Sequence, residues 1–248
     1  MRPVVGFDLD LTLVDSAEAI LATFREAARR LGVEVDPHTV WRQIGKPLEE
    51  NWAVLVPPEM VAEGVRLYRE LAPEVGVPQT TLEPGAAEAV AAVRAHSGKA
   101  VVVSAKAENL VHATLERVGL DVDEVVGDVY GAAKGVVLAE WGAALHVGDH
   151  PGDMEGARAA GAVAVGVTTG SHDAAALCAA GADVVLDDLS TFPEWLDGLV
   201  LDWRLEALER SLKELGSVVV AFSGGADSAF LLAAAVRALG PDKVLAAT

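Results

Sequence analysis

The sequence predicts an α/β protein in which a parallel sheet is covered by helices on both faces. Short apolar runs alternate with amphipathic stretches along most of the chain, a pattern typical of strand–helix repeats. Helical patterns without a strand follow the first apolar run, and a new strand begins near the C-terminus. We therefore expect a Rossmann-like core, a helical cap inserted after strand 1, and a partial C-terminal β-α-β unit.

Six apolar runs are predicted to be the buried strands of the core. They lie at Val4–Phe7, Ala100–Val103, Val125–Val129, Ala144–Val147, Ala162–Val167 and Val184–Leu186. Amphipathic helices are predicted between them, for example over Pro84–His96 and Glu108–Val118. Because 52% of the 248 residues are hydrophobic, the chain can bury a sizeable core.

The segment of residues 16–80 has helical patterns and no convincing strand. Four helices are predicted in it, over about residues 16–32, 36–45, 48–55 and 58–71. Ser16 is expected to cap the first helix and Gly32 to end it, and Gly45 is expected to end the second. Helices inserted at this point predict a cap over the carboxyl end of the first strand.

A second boundary is predicted near Gly198. A charged amphipathic helix over Asp202–Leu215 is followed by a strand, a glycine-rich loop, an apolar helix and a last strand at Lys243–Ala247. Two strands and one helix cannot enclose a core of their own. We therefore divide the chain into a core of residues 1–15 and 81–199, a cap of residues 16–80, and a partial segment of residues 200–248.

Charge and composition narrow the possible partners and leave the oligomeric state open. The formal net charge of −18 argues against nucleic acid and anionic membranes, because both are bound by basic surfaces. The N-terminus lacks the regions of a signal peptide and no apolar run is as long as a membrane helix, so a cytoplasmic protein is expected. Cys178, the single cysteine, is expected to be a small buried apolar residue.

Two pairs of aspartates follow predicted strands. Asp8 and Asp10 come directly after the first strand, and Asp149 and Asp153 follow a later one in H-V-G-D-H-P-G-D-M. Ligands of open α/β sheets bind at the carboxyl ends of the strands. Neighbouring carboxylates repel unless a cation neutralises them, and hard oxygen ligands suit Mg²⁺. The pattern therefore predicts a Mg²⁺ site; the alternative is that Asp8 and Asp10 only cap a turn.

Four motifs occur in order along residues 3–199, namely F-D-L-D-L-T-L-V-D-S, V-V-V-S-A-K with Ser104, Y-G-A-A-K-G with Lys134, and H-V-G-D-H-P-G-D-M. By these motifs the segment resembles the phosphatases of the haloacid dehalogenase superfamily that carry a small helical cap, and it is broadly similar to phosphoglycolate phosphatases. The resemblance implies a hydrolase that acts on a small phosphorylated metabolite with Mg²⁺ as its cofactor.

By this resemblance, Asp8 is the nucleophile that takes the phosphoryl group, and Asp10 is the general acid and base. Mg²⁺ would be held by the Asp8 carboxylate, the Asp10 backbone carbonyl and Asp149, with Asp153 binding the metal or its water shell. Relatives that cleave carbon–halogen or carbon–phosphorus bonds typically lack the second aspartate, so Asp10 favours hydrolysis of phosphate esters. A phosphomutase keeps both aspartates and stays an alternative.

The resemblance also implies a set of groups that bind the phosphate. Ser104 and the backbone at Leu9 and Ala105 would contact phosphate oxygens, and Lys134 would offset the charge of the phosphate and the nucleophile. Ala105 stands where asparagine is frequent, and Lys134 is followed by glycine rather than the usual proline. Lys106 is the alternative for the role of Lys134, and is otherwise expected to be a surface lysine.

The resemblance places substrate choice in the cap, where W-R-Q-I-G-K-P-L occupies the position of the specificity loop. Arg42 or Lys46 could reach an anionic substrate, and Gly45 permits an unusual backbone conformation. It is equally open that these basic residues only stabilise a helix C-terminus. His150 follows Asp149 and could line the site, but a solvated loop position is the favoured interpretation.

A second candidate site is S-G-G-A-D-S, which follows a predicted strand and opens a helix. Glycines let backbone amides approach a phosphate, and a helix N-terminus favours negative charge. The simpler alternative is a glycine turn in which an Asp or Ser side chain caps the helix. The run resembles the pyrophosphate loop of N-type ATP pyrophosphatases, most closely the sulfur transferases that build the nickel-pincer cofactor of lactate racemase. That resemblance implies ATP and Mg²⁺ binding by Ser223, Gly224, Gly225, Asp227 and Ser228.

The second resemblance covers only residues 202–248, a small part of that family's domain. Because residues that would bind adenine or accept sulfur are missing, this segment alone is not expected to catalyse adenylation. A Mg²⁺-dependent phosphatase is the leading expectation. Three alternatives stay open: a phosphomutase, an inactive scaffold, and an ATP-dependent sulfur transferase or ligase in a longer parent chain.

Overall fold

The computed structural model describes residues 2–248, which divide into two compact units of residues 2–193 and 194–248. The first unit is built on a sheet of six parallel strands. Its strands are β1 (Val4–Phe7), β4 (Lys99–Val103), β5 (Glu124–Val126), β6 (Leu145–Gly148), β7 (Val163–Val167) and β8 (Val184–Leu186), numbered along the chain. Two further short strands of this unit, β2 (Val14–Asp15) and β3 (Thr81–Leu82), form a separate pair.

The order across the large sheet is β5-β4-β1-β6-β7-β8. The chain therefore moves outward in one direction from β1 and in the other direction from β6, which creates a switch point between these two strands. The predicted parallel α/β core is confirmed, and each of the six predicted strands is present: two have the predicted bounds and four are shifted at one or both ends. The β2–β3 pair is separate and antiparallel, and the sequence did not reveal it because two-residue strands have no measurable periodicity.

The helices of the first unit fall into those of the cap and those between core strands. In residues 16–80, the segment that we predicted to be a cap and call the cap below, they are α1 (Ala17–Leu31), α2 (Pro37–Trp41), α3 (Leu48–Leu55) and α4 (Pro58–Val75). In the core they are α5 (Ala86–Ala95), α6 (Glu108–Val118), α7 (Ala132–Glu140), α8 (Pro151–Ala160) and α9 (Ala174–Ala180). The rings of Phe24, Trp52 and Tyr68 fill the centre of the cap, with Phe24 lying 5.1 Å from Trp52 and 4.7 Å from Tyr68 between ring centroids.

Three local expectations are wrong. The Ser16 hydroxyl makes no cap hydrogen bond, and it is buried without a partner among the described residues. Helix α2 ends at Trp41, before Gly45, because residues 42–45 continue as turns. Cys178 is exposed, because its neighbour Leu177 takes the inward position on α9. Gly32 does end α1 in the left-handed conformation, as expected.

The C-terminal part of the chain is a helix followed by a β-α-β unit. Helix α10 (Phe192–Leu215) starts well before Asp202, and the predicted boundary between residues 199 and 200 lies inside it. It is followed by β9 (Val218–Ala221), α11 (Ala226–Leu239) and β10 (Val244–Ala247), and β9 pairs with β10 in parallel. Within residues 194–248, the buried cluster consists of Leu212, Val220, Ala234 and Ala235. Among residues 2–248, no helix combines the length and apolar character needed to cross a membrane.

Candidate active site

A tight loop turns the chain at the carboxyl end of β1. The amide of Asp8 donates to the carbonyl of Val147, which continues the strand pairing with β6 by one residue. The Leu9 carbonyl then accepts hydrogen bonds from the amides of Thr12, Leu13 and Val14. Leu11 adopts a left-handed conformation with φ of 60° in this loop. As a result, the Asp8 side chain is buried, and Asp10 lies at the border of the cleft beneath the cap.

Lys134 lies between two buried carboxylates. Its Nζ is 2.7 Å from Asp8 Oδ1 and 2.6 Å from Asp153 Oδ1, and its side chain is 3% exposed. Helix α7 supplies the lysine and α8 supplies Asp153, so three separate elements meet at this point. The structure thus brings Lys134 to Asp8, although the residue after Lys134 departs from the motif.

Three carboxylates form a group that could hold a metal ion. Asp8, Asp149 and Asp153 are all buried, and each can offer an oxygen so that the three atoms lie within 4.8 Å of one another. Thr12 Oγ1 donates to Asp149 Oδ1 at 3.3 Å and links the β1 loop to the end of β6. The carboxylate of Asp10 lies outside this group, so only its backbone carbonyl stays a candidate for the metal role that we predicted for it.

The electrostatics of the group indicate missing positive charge. Burial raises the pKa of Asp8 to about 6, even though Lys134 acts in the opposite direction. Burial also raises the pKa of Asp149 well above its usual range, and the charges of Asp8 and Asp153 add to this effect. Burial alone would raise the pKa of Asp153, but Lys134 and His146 outweigh it and hold the pKa below its usual value. One ammonium therefore faces three buried carboxylates, a donor set that fits a hard divalent cation.

The second lysine near the site contacts the second aspartate. Lys106 Nζ lies 2.6 Å from Asp10 Oδ1, and the two side chains are 12% and 13% exposed. Ser104 is buried at the end of β4, and its Oγ accepts a hydrogen bond from the Lys106 amide at 3.3 Å. Lys106 is therefore neither a substitute for Lys134 nor a surface lysine, because each lysine pairs with a different aspartate.

A cleft of about 130 Å³ lies between the core and the cap. Asp8, Asp10, Ser104 and Ala105 line its core side, and Gly45 and Lys46 line its cap side. Arg42 is exposed and does not line the cleft, so its predicted place there is wrong: it follows the last residue of α2 and points to solvent. Further residues that line the cleft were not singled out from the sequence, among them Phe24, Glu49, Asn51, Tyr68, Arg69 and Tyr130.

The side chain of His150 packs against the cap loop at Gly45, so His150 is not a solvated loop residue. It is 4% exposed, and its Nδ1 accepts the Gly152 amide at 3.0 Å at the start of α8. Burial lowers the pKa of His150 to about 4. Gly45 has a φ of 94°, and a Cβ placed there would lie 2.9 Å from His150 Cδ2. The side chain is buried because this cap loop covers it, which its position after Asp149 could not reveal.

Comparison with known proteins identifies the class to which this fold and site belong. The model of the haloacid dehalogenase-like hydrolase family matches residues 5–131, and a second model of HAD-hydrolase-like proteins matches residues 110–192. The chain belongs to the haloacid dehalogenase-like hydrolase family. Neither match extends beyond residue 192, so the resemblance of the last segment to ATP pyrophosphatases stays a prediction.

Individual relatives agree with this membership. Probable phosphatase IndB of Dickeya dadantii is 33% identical over an alignment of 210 residues that covers 77% of this chain and 91% of the relative. A phosphoglycolate phosphatase of Synechococcus elongatus is 28% identical over 194 residues, covering 73% of this chain and 91% of that protein. A haloacid dehalogenase-like hydrolase from Streptococcus pneumoniae has the same fold, with a TM-score of 0.70, 23% identity, and coverage of 80% of this chain and 98% of that one.

Proposed function

We propose that this chain is a Mg²⁺-dependent phosphatase that hydrolyses a small phosphorylated metabolite through a phosphoryl group carried on Asp8. The observation that carries the proposal is the buried Asp8 carboxylate, which contacts Lys134 and lies among three carboxylates at the base of a cleft. Phosphoryl transfer needs positioning and charge neutralisation more than any other help, and this arrangement offers both. Relatives named as phosphatases support the same reaction class.

In the proposed mechanism, a carboxylate oxygen of Asp8 attacks phosphorus and the bond to the ester oxygen breaks. Asp10 donates a proton to the leaving alcohol, and then takes a proton from the water that attacks the phosphorus of the acyl phosphate. Inorganic phosphate leaves and the Asp8 carboxylate is restored. Asp8, Asp149, Asp153 and the Asp10 carbonyl would hold Mg²⁺, which when bound supplies positive charge beside the phosphate.

The remaining groups of the site have binding and positioning roles in this proposal. The Ser104 hydroxyl and the backbone amides of Leu9 and Ala105 bind the phosphate oxygens. Lys134 holds Asp8 and balances its charge together with that of the phosphate. Lys106 holds the Asp10 carboxylate in the wall of the cleft, where it can serve the leaving oxygen.

Phosphate release tests the reaction class directly. We expect the full chain with Mg²⁺ to release phosphate from at least one of a panel of small phosphate esters. This release should stop when EDTA removes the metal. A phosphomutase would instead convert a sugar phosphate to its isomer without net release, which chromatography of the products detects. A folded chain that binds Mg²⁺ and does neither would contradict the proposal and favour an inactive scaffold.

The charges of the cleft support a substrate with a second anionic group. Arg69 pairs with Glu49 at 3.1 Å, and Lys106 pairs with Asp10. Lys46 Nζ instead contacts the neutral Oε1 of Gln43 at 3.1 Å, so its positive charge has no carboxylate partner among the described residues. We infer that Lys46 binds a carboxylate or second phosphate of the substrate.

We expect Lys46→Met to raise KM roughly 10-fold or more for esters with a second anionic group, because a charged hydrogen bond contributes about 1.5–3 kcal/mol. The kcat for these esters, and both constants for a neutral alkyl phosphate, should change little. Arg42→Met is the matched control, because Arg42 lies in the same loop but does not line the cleft. An equal rise in KM for charged and neutral esters would contradict this role.

The loop after β9 supports a second, separate proposal, that it binds the phosphates of ATP. The predicted strand, loop and helix are present, and the residues from Ser223 to Asp227 are exposed. Ser223 Oγ and Ser228 Oγ lie 3.1 Å apart, and the Ser228 hydroxyl donates to the Gly225 carbonyl at 3.0 Å. This keeps the loop compact at the N-terminus of a 14-residue helix, a place that favours anions.

Calorimetric titration of the full chain with ATP and Mg²⁺ tests this loop. We expect Ser228→Ala to weaken ATP binding, and Ser211→Ala to leave it unchanged, because the Ser211 hydroxyl only contacts the Ala207 carbonyl within α10. Wild-type chain that shows no heat of ATP binding would contradict the proposal and favour a simple glycine turn.

A further inference from the structure

His146 is a buried polar residue to which the proposed mechanism gives no role. It lies on β6 beside the end of β1, and its side chain is fully buried. Its Nε2 is 3.3 Å from Asp153 Oδ1, the same oxygen that accepts a hydrogen bond from Lys134. Its Nδ1 is buried and has no hydrogen-bond partner among residues 2–248. A histidine in the middle of an otherwise apolar strand thus has its single polar contact in the active site.

The hydrogen-bond partner of the ring determines that Nε2 carries a hydrogen. Asp153 is ionised because it pairs with the Lys134 ammonium, so its Oδ1 can only accept. If Nε2 carried no hydrogen, two acceptors would face each other at 3.3 Å. A ring hydrogen therefore lies on Nε2, which donates to Asp153.

Three donors then hold the Asp153 carboxylate in one orientation. Oδ1 accepts from His146 and from Lys134, and Oδ2 accepts from the backbone amide of His150 at 3.1 Å. Lys134 also contacts Asp8 at 2.7 Å. A continuous series of contacts therefore runs from the ring on β6 through Asp153 and Lys134 to the proposed nucleophile.

The neighbouring strand leaves space for the ring in this orientation. Gly6 on β1 is paired in register with His146 on β6. A Cβ at Gly6 would lie 2.7 Å from His146 Nδ1 and would overlap a methyl group of Leu138 on α7. The imidazole thus occupies space that any side chain at Gly6 would fill.

We propose that His146 is a positioning residue of the active site: its Nε2–H orients Asp153, and through Asp153 it orients Lys134 and the metal-binding carboxylates. Groups that orient metal ligands in this manner commonly change metal affinity or activity by about 10–100-fold when they are removed. The proposal rests on the proposed phosphatase function only where activity is measured, because metal affinity tests it independently.

The test compares two replacements of the same residue. His146→Leu keeps apolar bulk but removes the donor, whereas His146→Gln keeps an N–H at a similar reach. We expect the Leu variant to bind Mg²⁺ about tenfold more weakly in calorimetry of the metal-free full chain, and to lose about tenfold in kcat with KM nearly unchanged. The Gln variant should keep most of the wild-type Mg²⁺ affinity and most of the wild-type kcat.

Two further variants separate this role from packing. Leu145→Val shortens a fully buried side chain next to His146 on the same strand, so it should lower the melting temperature and leave Mg²⁺ affinity unchanged. Gly6→Ala leaves the histidine in the chain but displaces its ring, so it should weaken Mg²⁺ binding as His146→Leu does. If the His146→Leu variant does not fold, the Mg²⁺ affinity of the Gly6→Ala variant tests the proposal instead.

Two outcomes would overturn the proposal. One is a folded His146→Leu or Gly6→Ala variant with the Mg²⁺ affinity of the wild type. The other is a Gln variant as defective as the Leu variant, which would mean that the ring only fills space. If the wild type releases no phosphate from any ester, the proposed function fails, but the Mg²⁺ titrations still decide the role of His146.

Discussion

Replacement of Asp8 with asparagine is expected to abolish phosphate release, with a fall in kcat on the order of 10⁴-fold or more. An amide is a far weaker nucleophile than a carboxylate and cannot form the acyl phosphate of the proposed mechanism. The fold should be retained, because asparagine has the same shape and can still accept a hydrogen bond from Lys134 at 2.7 Å. Release of inorganic phosphate from the best ester of the panel measures the effect.

A covalent adduct provides an independent measurement of the same step. Acid quenching of the wild type during turnover, followed by peptide mass spectrometry, should find the phosphoryl group on the peptide that contains Asp8. Asp121→Asn is the control, because Asp121 is an exposed aspartate whose contact is with Arg94. Normal turnover by Asp8→Asn, or a phosphoryl group on a different residue, would contradict the assignment of the nucleophile.

Replacement of Lys134 with methionine is expected to reduce both stability and activity. Removal of one partner from a buried ion pair costs about 3–5 kcal/mol, because the remaining charges lose their compensation. Here the ammonium contacts both Asp8 and Asp153, and all three side chains are buried. We therefore expect the metal-free variant to lose about this much free energy of unfolding, measured by urea denaturation near neutral pH.

Addition of Mg²⁺ should restore part of that loss, because a divalent cation replaces the missing positive charge among the carboxylates. Arg66→Met is the matched control: this residue pairs with Glu63 and Glu70 on the exposed surface of α4, where such pairs contribute about 0–1 kcal/mol. A Lys134→Met chain as stable as the wild type in EDTA would show that the buried cluster does not depend on the lysine.

Agreement between sequence and structure is best where the pattern is local. Apolar runs such as Val4–Phe7 and Val184–Leu186 have the bounds expected from the sequence, because a buried strand needs a continuous apolar segment that turn residues interrupt. The aspartates at strand ends are brought together because the carboxyl ends of parallel strands share one edge of the sheet.

Sequence patterns were less informative where burial depends on distant partners. His150 is buried because the Gly45 loop of the cap covers it, and these residues are far apart in the chain. Arg42 and Lys46 are four positions apart in one loop, yet only Lys46 lines the cleft. Composition and spacing carry no information on which side of a turn faces inward, so both basic residues remained candidates.

The sequence by itself determined the parallel α/β core and the motifs that contain Asp8, Asp10, Asp149 and Asp153. Local periodicity and strand-end chemistry are enough for these features. Tertiary structure decided how the two lysines divide their partners, with Lys134 on Asp8 and Lys106 on Asp10. It also decided that His146 reaches Asp153 across the space left by Gly6. The physical reason is that charge pairing and close packing depend on atoms from separate elements, which meet only when the chain has folded.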